Sequence, residues 1–341
     1  MQSQHTLRRN GKTIKMNEFS QYIKLIGKGK NAGKYLTMEQ AYSAFYLLLK
    51  GQAEPEQIGA FLMLLRVREE SAEELAGFVK ATREYTPTPV QQINVDLDMG
   101  CYAGKRRHLP WFLLAMLCLA QSGKRIFLHG CKEPDSNRLY LPDVFKQLNI
   151  PISQTAAQAN EQLDKTNFAY MDLEQVNPKL NHLIQMRRLF GLRSPANTLA
   201  RMLNPTSATY SFHGVFHRHF DERHIQVAKL LGDKHVSCIR GEGGEVEVNP
   251  ERGFIQHLVN NNDISSNEFP TLLPNWQIKP RELEPLELRK CWTGELQFEY
   301  AQQAIVGTIA TYLTLLDSIS VEQALQQAET MWLNRNTSFE F

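Results

Sequence analysis

Between Ile93 and Ala120 the chain changes rhythm twice, and this stretch narrows the choice of fold most. Ile93, Val95, Leu97 and Met99 alternate with Asn94, Asp96 and Asp98, which is the period of a strand. A turn follows that holds Gly100 and Gly104 and three consecutive cations, Lys105, Arg106 and Arg107. Pro110 then leads into ten apolar residues, Trp111–Ala120. A helix that is apolar all round has to be buried all round. Ten residues are about half of the ~20 that a membrane span needs, so this helix belongs against a sheet. The same alternation returns downstream: strands are predicted at Arg125–His129, Phe168–Met171 and Val236–Arg240, with helices around Phe145–Leu148 and over Asp221–Leu231. Strands separated by helices predict an α/β layer with parallel strand pairs.

The first 85 residues read differently. Phe19, Tyr22, Ile23 and Ile26 have helical spacing, and Gly27 can end that helix. The basic loop Gly27–Lys34 comes next. Thr37 with Gln40, and Ser71 with Glu74, are capping-box pairs ahead of apolar runs, and Pro55 suits the first turn of a third helix. Two further helices are predicted near the C-terminus, one across Ala301–Leu316 and one after Ser320, which forms a capping box with Gln323. A length of 341 residues agrees with about two structural units. The hydrophobic share of 42 % excludes a disordered chain. The five cysteines are scattered and form no CxxC pair, which argues against a disulfide framework or a zinc–thiolate site. With no apolar segment in MQSQHTLRRNGK, a cytoplasmic, reduced protein without membrane association is expected.

Net charge is only +2, yet it is distributed in blocks. Residues 1–40 carry eight Lys or Arg against two acids, residues 179–229 eight against two, and residues 241–300 five against eleven. Such blocks create local fields that a near-zero total conceals. The glycine turn offers the free N–H groups of a helix N-terminus together with Lys105, Arg106 and Arg107, a composition suited to phosphate. The alternative is an ordinary turn with solvated cations. It matches neither GxxxxGK[ST] nor GxGxxG. The second basic block holds Arg187, Arg188, Arg193 and Arg201, whose guanidinium groups suit carboxylates and phosphates. His213, His217, His219 and His224 lie close in sequence, but their spacing and their neighbours Arg218 and Arg223 argue against a metal site.

The string Arg187–Arg188–x–x–Gly191–x–Arg193–Ser194–x–x–Asn197–x–Leu199, closed by Asn204–Pro205, resembles the anthranilate phosphoribosyltransferase family. So does the order of a helical N-terminal part, a glycine turn after a strand, His129–Gly130 after a strand, and Arg240–Gly241 after a late strand. The resemblance implies a small helical domain, residues 1–88 completed by about 178–206, and a larger α/β domain, residues 89–177 and 207–341, with a mostly parallel central sheet. It implies a homodimer through the helical domain and a phosphoribosyl pyrophosphate cleft involving Gly100, Tyr102, Gly104, His129, Gly130 and Arg187. The departures are specific. Gly100–Cys101–Tyr102–Ala103–Gly104–Lys105 replaces a GTGGD-like loop, Cys131–Lys132–Glu133–Pro134–Asp135 replaces a Ser-rich motif, and Val246 stands where a magnesium-binding Asp is expected, leaving a vestigial Glu247. Such losses resemble the YbiB-like branch of the family, and that resemblance implies nucleic-acid binding. The expected function is therefore sequence-tolerant binding of DNA or RNA by a homodimer without metal or cofactor. Its phosphate contacts would be Lys105, Arg106, Arg107, Arg187, Arg188, Arg193 and Arg201, with Lys28, Lys30 and Lys34 of the basic loop. The alternative is a phosphoribosyltransferase using phosphoribosyl pyrophosphate and Mg²⁺; a third reading is a scaffold with a vestigial site.

Overall fold

The computed structural model describes the backbone of residues 6–9 and 12–15 and, in full, residues 18–29, 33–278 and 282–340. Lys30 lies outside the described residues. Strands β1 (Thr6–Arg9) and β2 (Lys12–Lys15) pair as an antiparallel hairpin. The remaining strands are β3 (Leu97–Cys101), β4 (Ile126–Gly130), β5 (Phe168–Asp172), β6 (Tyr210–Val215), β7 (His235–Arg240), β8 (Phe254–Asn260) and β9 (Asp263–Phe269). They form one seven-stranded sheet in the order β5-β4-β3-β6-β7-β8-β9. From β5 to β7 every neighbouring pair is parallel, and β8 and β9 close the edge antiparallel.

The two faces of this sheet differ because strand side chains alternate. Leu97, Met99 and Cys101 of β3 and Ile126 and Leu128 of β4 join an apolar core with the helices Trp111–Gln121 and Glu299–Leu316. The intervening residues Asp98 and His129 are also buried, on the opposite face. Every residue of Trp111–Ala120 is buried, as its composition requires. Among the described residues no helix is long and apolar enough to cross a membrane.

The other face carries the helical layer. Helices Ser20–Ile26, Met38–Leu49, Pro55–Arg68 and Ala72–Glu84 form it, and the capping boxes at Thr37 and Ser71 are both made. Leu180, Leu183, Ala196, Leu199 and Leu203 share the same apolar cluster with Phe45, Phe61 and Phe78. The Arg-rich segment is thereby folded back onto the N-terminal helices, above the ends of the strands.

Three differences from the sequence reading have physical causes. The alternation starting at Ile93 enters the sheet only at Leu97, because Thr88–Gln91 is a short helix and the next residues only lead into the strand. Strand β6 is absent from the sequence reading, although Tyr210 and Phe212 alternate with Ser211 and His213; the alternation is short, and both of its faces are buried rather than one facing solvent. The hairpin β8–β9 was missed as well, although its turn residues Asn261 and Asn262 both have positive φ, the signature of a tight two-residue hairpin turn.

Candidate functional site

The strand order reverses between β3 and β6, whose chain continuations run to opposite sides of the sheet. In such sheets the crevice at the carboxyl ends of these strands is where ligands bind. Here it is bordered by the segment after β3, the segment after β6 and the refolded Arg-rich segment.

The glycine turn after β3 is occupied by the chain itself. The Ala103 and Gly104 N–H groups both donate to Glu245 Oε1, each at 2.7 Å. A Cβ on Gly241 would lie 1.7 Å from the Glu245 carbonyl oxygen, so only glycine there permits this approach. Tyr102 folds back over the strand end: a Cβ on Gly100 would meet its ring at 2.8 Å. The buried Tyr102 hydroxyl bonds to His129 Nδ1, whose Nε2 lies 3.0 Å from Asp98 Oδ1. Asp98 Oδ2 in turn accepts from the Thr206 hydroxyl at 2.5 Å. With Tyr102 as donor, His129 Nε2 carries the proton that Asp98 accepts. Burial pushes the Tyr102 phenol well above its ordinary range. Gly130 ends β4 beside Cys101 of β3.

The sequence grouped Lys105 with Arg106 and Arg107 as phosphate contacts; the structure separates them. Lys105 is 2 % exposed, and its ammonium donates to Glu247 Oε1 at 2.5 Å. The other Glu247 oxygen accepts from the Phe112 N–H at the start of the apolar helix, at 2.9 Å. Burial pushes the Glu247 carboxyl up to about 7, and the Lys105 ammonium works against that shift. Lys105 is thus a structural cation that neutralises a buried carboxylate, while Arg106 and Arg107 are exposed.

A second correction concerns Arg187 and Arg193, which already have an anionic partner. Buried Glu133 accepts from Arg187 Nη1 and, at 2.8 Å, from Arg193 Nη2. Its other oxygen takes the Asn197 side-chain N–H at 2.6 Å. Arg188, Lys28 and Lys34 are exposed. Arg201 donates to the Gly214 and Gly244 carbonyls at 2.8 and 2.7 Å. Burial lowers its pKa, against the pull of Glu245. Arg138 lies within hydrogen-bonding range of the Ala103, Gly104 and Gly243 carbonyls.

Next to these groups is a cavity of about 330 Å³. Arg66, Arg138, Arg193 and Arg201 line it together with Ser194, Thr198, Phe216, His217, Phe220 and His224, and among the described residues no Asp or Glu is in its wall. Sequence reasoning missed Glu133, Glu245, Arg138 and Arg66. The histidines do not gather as ligands: His213 and His224 are buried, His217 and His219 exposed. Burial pushes the His213 imidazole down to about 4 and that of His224 well below its usual value, so both are neutral. Among the described residues no three His, Cys, Asp or Glu are placed to hold a metal ion.

The helical bundle domain of the glycosyl transferase family matches residues 20–86, and the a/b domain of that family matches residues 117–271. The anthranilate phosphoribosyltransferase of Persephonella marina is 26 % identical over 282 residues, 82 % of this chain and 79 % of that protein. The uncharacterized protein YbiB of Escherichia coli K12 is 27 % identical over 241 residues, 69 % of this chain and 74 % of that one. Among solved structures, the anthranilate phosphoribosyltransferase of Thermus thermophilus superposes with a TM-score of 0.74 over 95 % of this chain and 99 % of its own. At 19 % identity that likeness is one of fold.

Proposed function

The chain belongs to the glycosyl transferase family of the anthranilate phosphoribosyltransferases, and on that premise we propose that it is a member without transferase activity, whose cleft binds nucleic acid through the phosphate backbone. One observation carries this reading. The anion-binding parts of the cleft are split: Glu245 of the chain itself takes the N–H pair of the glycine turn, while the described wall of the arginine-lined cavity beside it contains no acid. A pyrophosphate on the glycine turn would have to displace a carboxylate held by two hydrogen bonds. Arg106, Arg107 and Arg188 are exposed, and in this proposal they extend the contact to a polyanion longer than one small molecule.

The residues present do not fit a magnesium ion. Val246 is buried and has no ligand atom, and both Glu247 oxygens are engaged, by Lys105 and by the Phe112 N–H. Mg²⁺ needs oxygen ligands that are free to turn toward it, and neither residue supplies one. A second reading, transfer of a phosphoribosyl group, is favoured by the names of relatives such as the Persephonella marina enzyme. The closed glycine turn and the engaged carboxylates weigh against it.

The test is a salt titration of binding to single-stranded oligonucleotides of unrelated sequence. Wild type should bind them with similar affinities, because phosphate contacts carry little base information. Arg106→Ala/Arg107→Ala should flatten the slope of log K against log salt by ~1.4, at about 0.7 per phosphate lost. An unchanged slope in the folded double variant would remove this surface from the interface.

Self-association belongs to the same proposal. Tyr46, Leu47, Met63 and Leu64 of the helical layer are only half-buried, and in this proposal they supply the apolar surface of an isologous pair. Light scattering at micromolar concentration should give twice the subunit mass of 39.1 kDa. A single subunit mass would contradict the dimer.

A further inference from the structure

The arginine-lined cavity has a second kind of wall that phosphate binding leaves unexplained. Phe216, the residue after β6, is 66 % exposed, so its ring has a free face. Two of the residues that line the cavity are buried and carry polar atoms with no hydrogen-bond partner among the described residues: both ring nitrogens of His224, and the Ser194 hydroxyl. Unsatisfied buried polar atoms of this kind call for a ligand or solvent partner. A neutral imidazole offers one donor and one acceptor. Phosphate oxygens only accept, whereas the edge of a nucleobase does both. Cations, an exposed aromatic ring and two unpartnered polar side chains thus line one cavity. Its volume of about 330 Å³ is at the lower end of small-molecule pockets.

We propose that this cavity receives one unpaired nucleotide of a nucleic-acid chain, with its phosphate on the guanidinium wall, its base on the ring of Phe216, and the base edge toward His224 and Ser194. The inference rests on the nucleic-acid reading above and goes beyond it, because it makes the protein a reader of single strands. A paired base has both its stack and its Watson–Crick edge occupied, and withdrawing it from a duplex costs a few kcal/mol. A single strand meets much less of that cost. Stacking on one aromatic ring is sequence-tolerant, since every base has a π-face.

The experiment uses a single-stranded oligonucleotide carrying one 2-aminopurine, the same oligonucleotide annealed to its complement, and free deoxyadenosine monophosphate. Wild type, Phe216→Ala and Phe216→Trp are compared, with circular dichroism as the check on folding. The ring of Phe216 is exposed, so neither substitution disturbs the core. Wild type is expected to bind the single strand at least about tenfold more tightly than the duplex, and to change 2-aminopurine fluorescence on binding. Phe216→Ala should lose roughly 5- to 150-fold in single-strand affinity together with the fluorescence change, and keep its salt slope, since no charge is removed. Phe216→Trp should retain both the affinity and the fluorescence change. Equal affinity for single strand and duplex, or a Phe216→Ala variant indistinguishable from wild type, would overturn the pocket while leaving backbone binding intact. Binding of the free mononucleotide as tight as that of the oligonucleotide would also overturn it, and would assign the cavity to a small nucleotide. Absence of binding to any nucleic acid would overturn the broader reading, and the pocket with it.

Discussion

Lys105→Ala is expected to destabilise the protein by about 3–5 kcal/mol, whereas Arg106→Ala and Arg107→Ala should each stay within about 0.5 kcal/mol of wild type. The three cations are consecutive in sequence but differ in burial: Lys105 is 2 % exposed and Arg106 and Arg107 are exposed. Truncating Lys105 leaves the Glu247 carboxyl buried with only the Phe112 N–H and no counter-charge, so the folded variant must hold it as the neutral acid or as an unpaired charge. The double variant Lys105→Met/Glu247→Gln should recover part of the loss. It removes the unpaired charge, and the glutamine oxygen can still accept from the helix N-terminus. Denaturant midpoints followed by circular dichroism measure both effects. A Lys105→Ala variant as stable as wild type would mean that the pair contributes nothing to the fold.

Glu133→Gln should strengthen nucleic-acid binding. In the wild type one buried carboxylate holds both Arg187 and Arg193, so two guanidinium groups on the cleft side are already neutralised. The glutamine can keep an oxygen for Asn197 while releasing the charge. If each freed arginine gains a phosphate, the slope of log K against log salt steepens by ~1.4. Arg187 and Arg193 are 25 % and 33 % exposed, so they can hydrate and the stability loss should be modest. A slope equal to that of wild type would show that these arginines do not face the bound chain.

What the sequence made legible was local. The apolar run Trp111–Ala120 demanded burial, and its neighbouring strand and turn followed from a change of period. The caps at Thr37, Ser71 and Ser320 were readable because a capping box lies within four residues. The site was legible only as a composition of charges. Whether Lys105 faces solvent or a carboxylate depends on Glu247, which is 142 residues away and reaches it only once β3 and β7 stand in one sheet. The same holds for Glu245 on the glycine turn and Glu133 on the two arginines. Arg66 reads as an ordinary last-turn helix cation, and only the tertiary fold brings it to the cavity. Phe216 and His224 gave no signal as a pair, since one follows β6 and the other belongs to the helix Phe220–Leu231.

The most direct test of the account asks which anion the cleft accepts. Calorimetry on one preparation compares phosphoribosyl pyrophosphate with Mg²⁺ against a single-stranded oligonucleotide, beside an assay for anthranilate turnover. With Glu245 on the glycine turn and Glu247 tied to Lys105, the oligonucleotide should give a saturable heat. Phosphoribosyl pyrophosphate should give none up to millimolar concentration, with no turnover. A saturable, Mg²⁺-dependent heat with phosphoribosyl pyrophosphate, accompanied by anthranilate turnover and no response to the oligonucleotide, would contradict the account and make the chain a transferase.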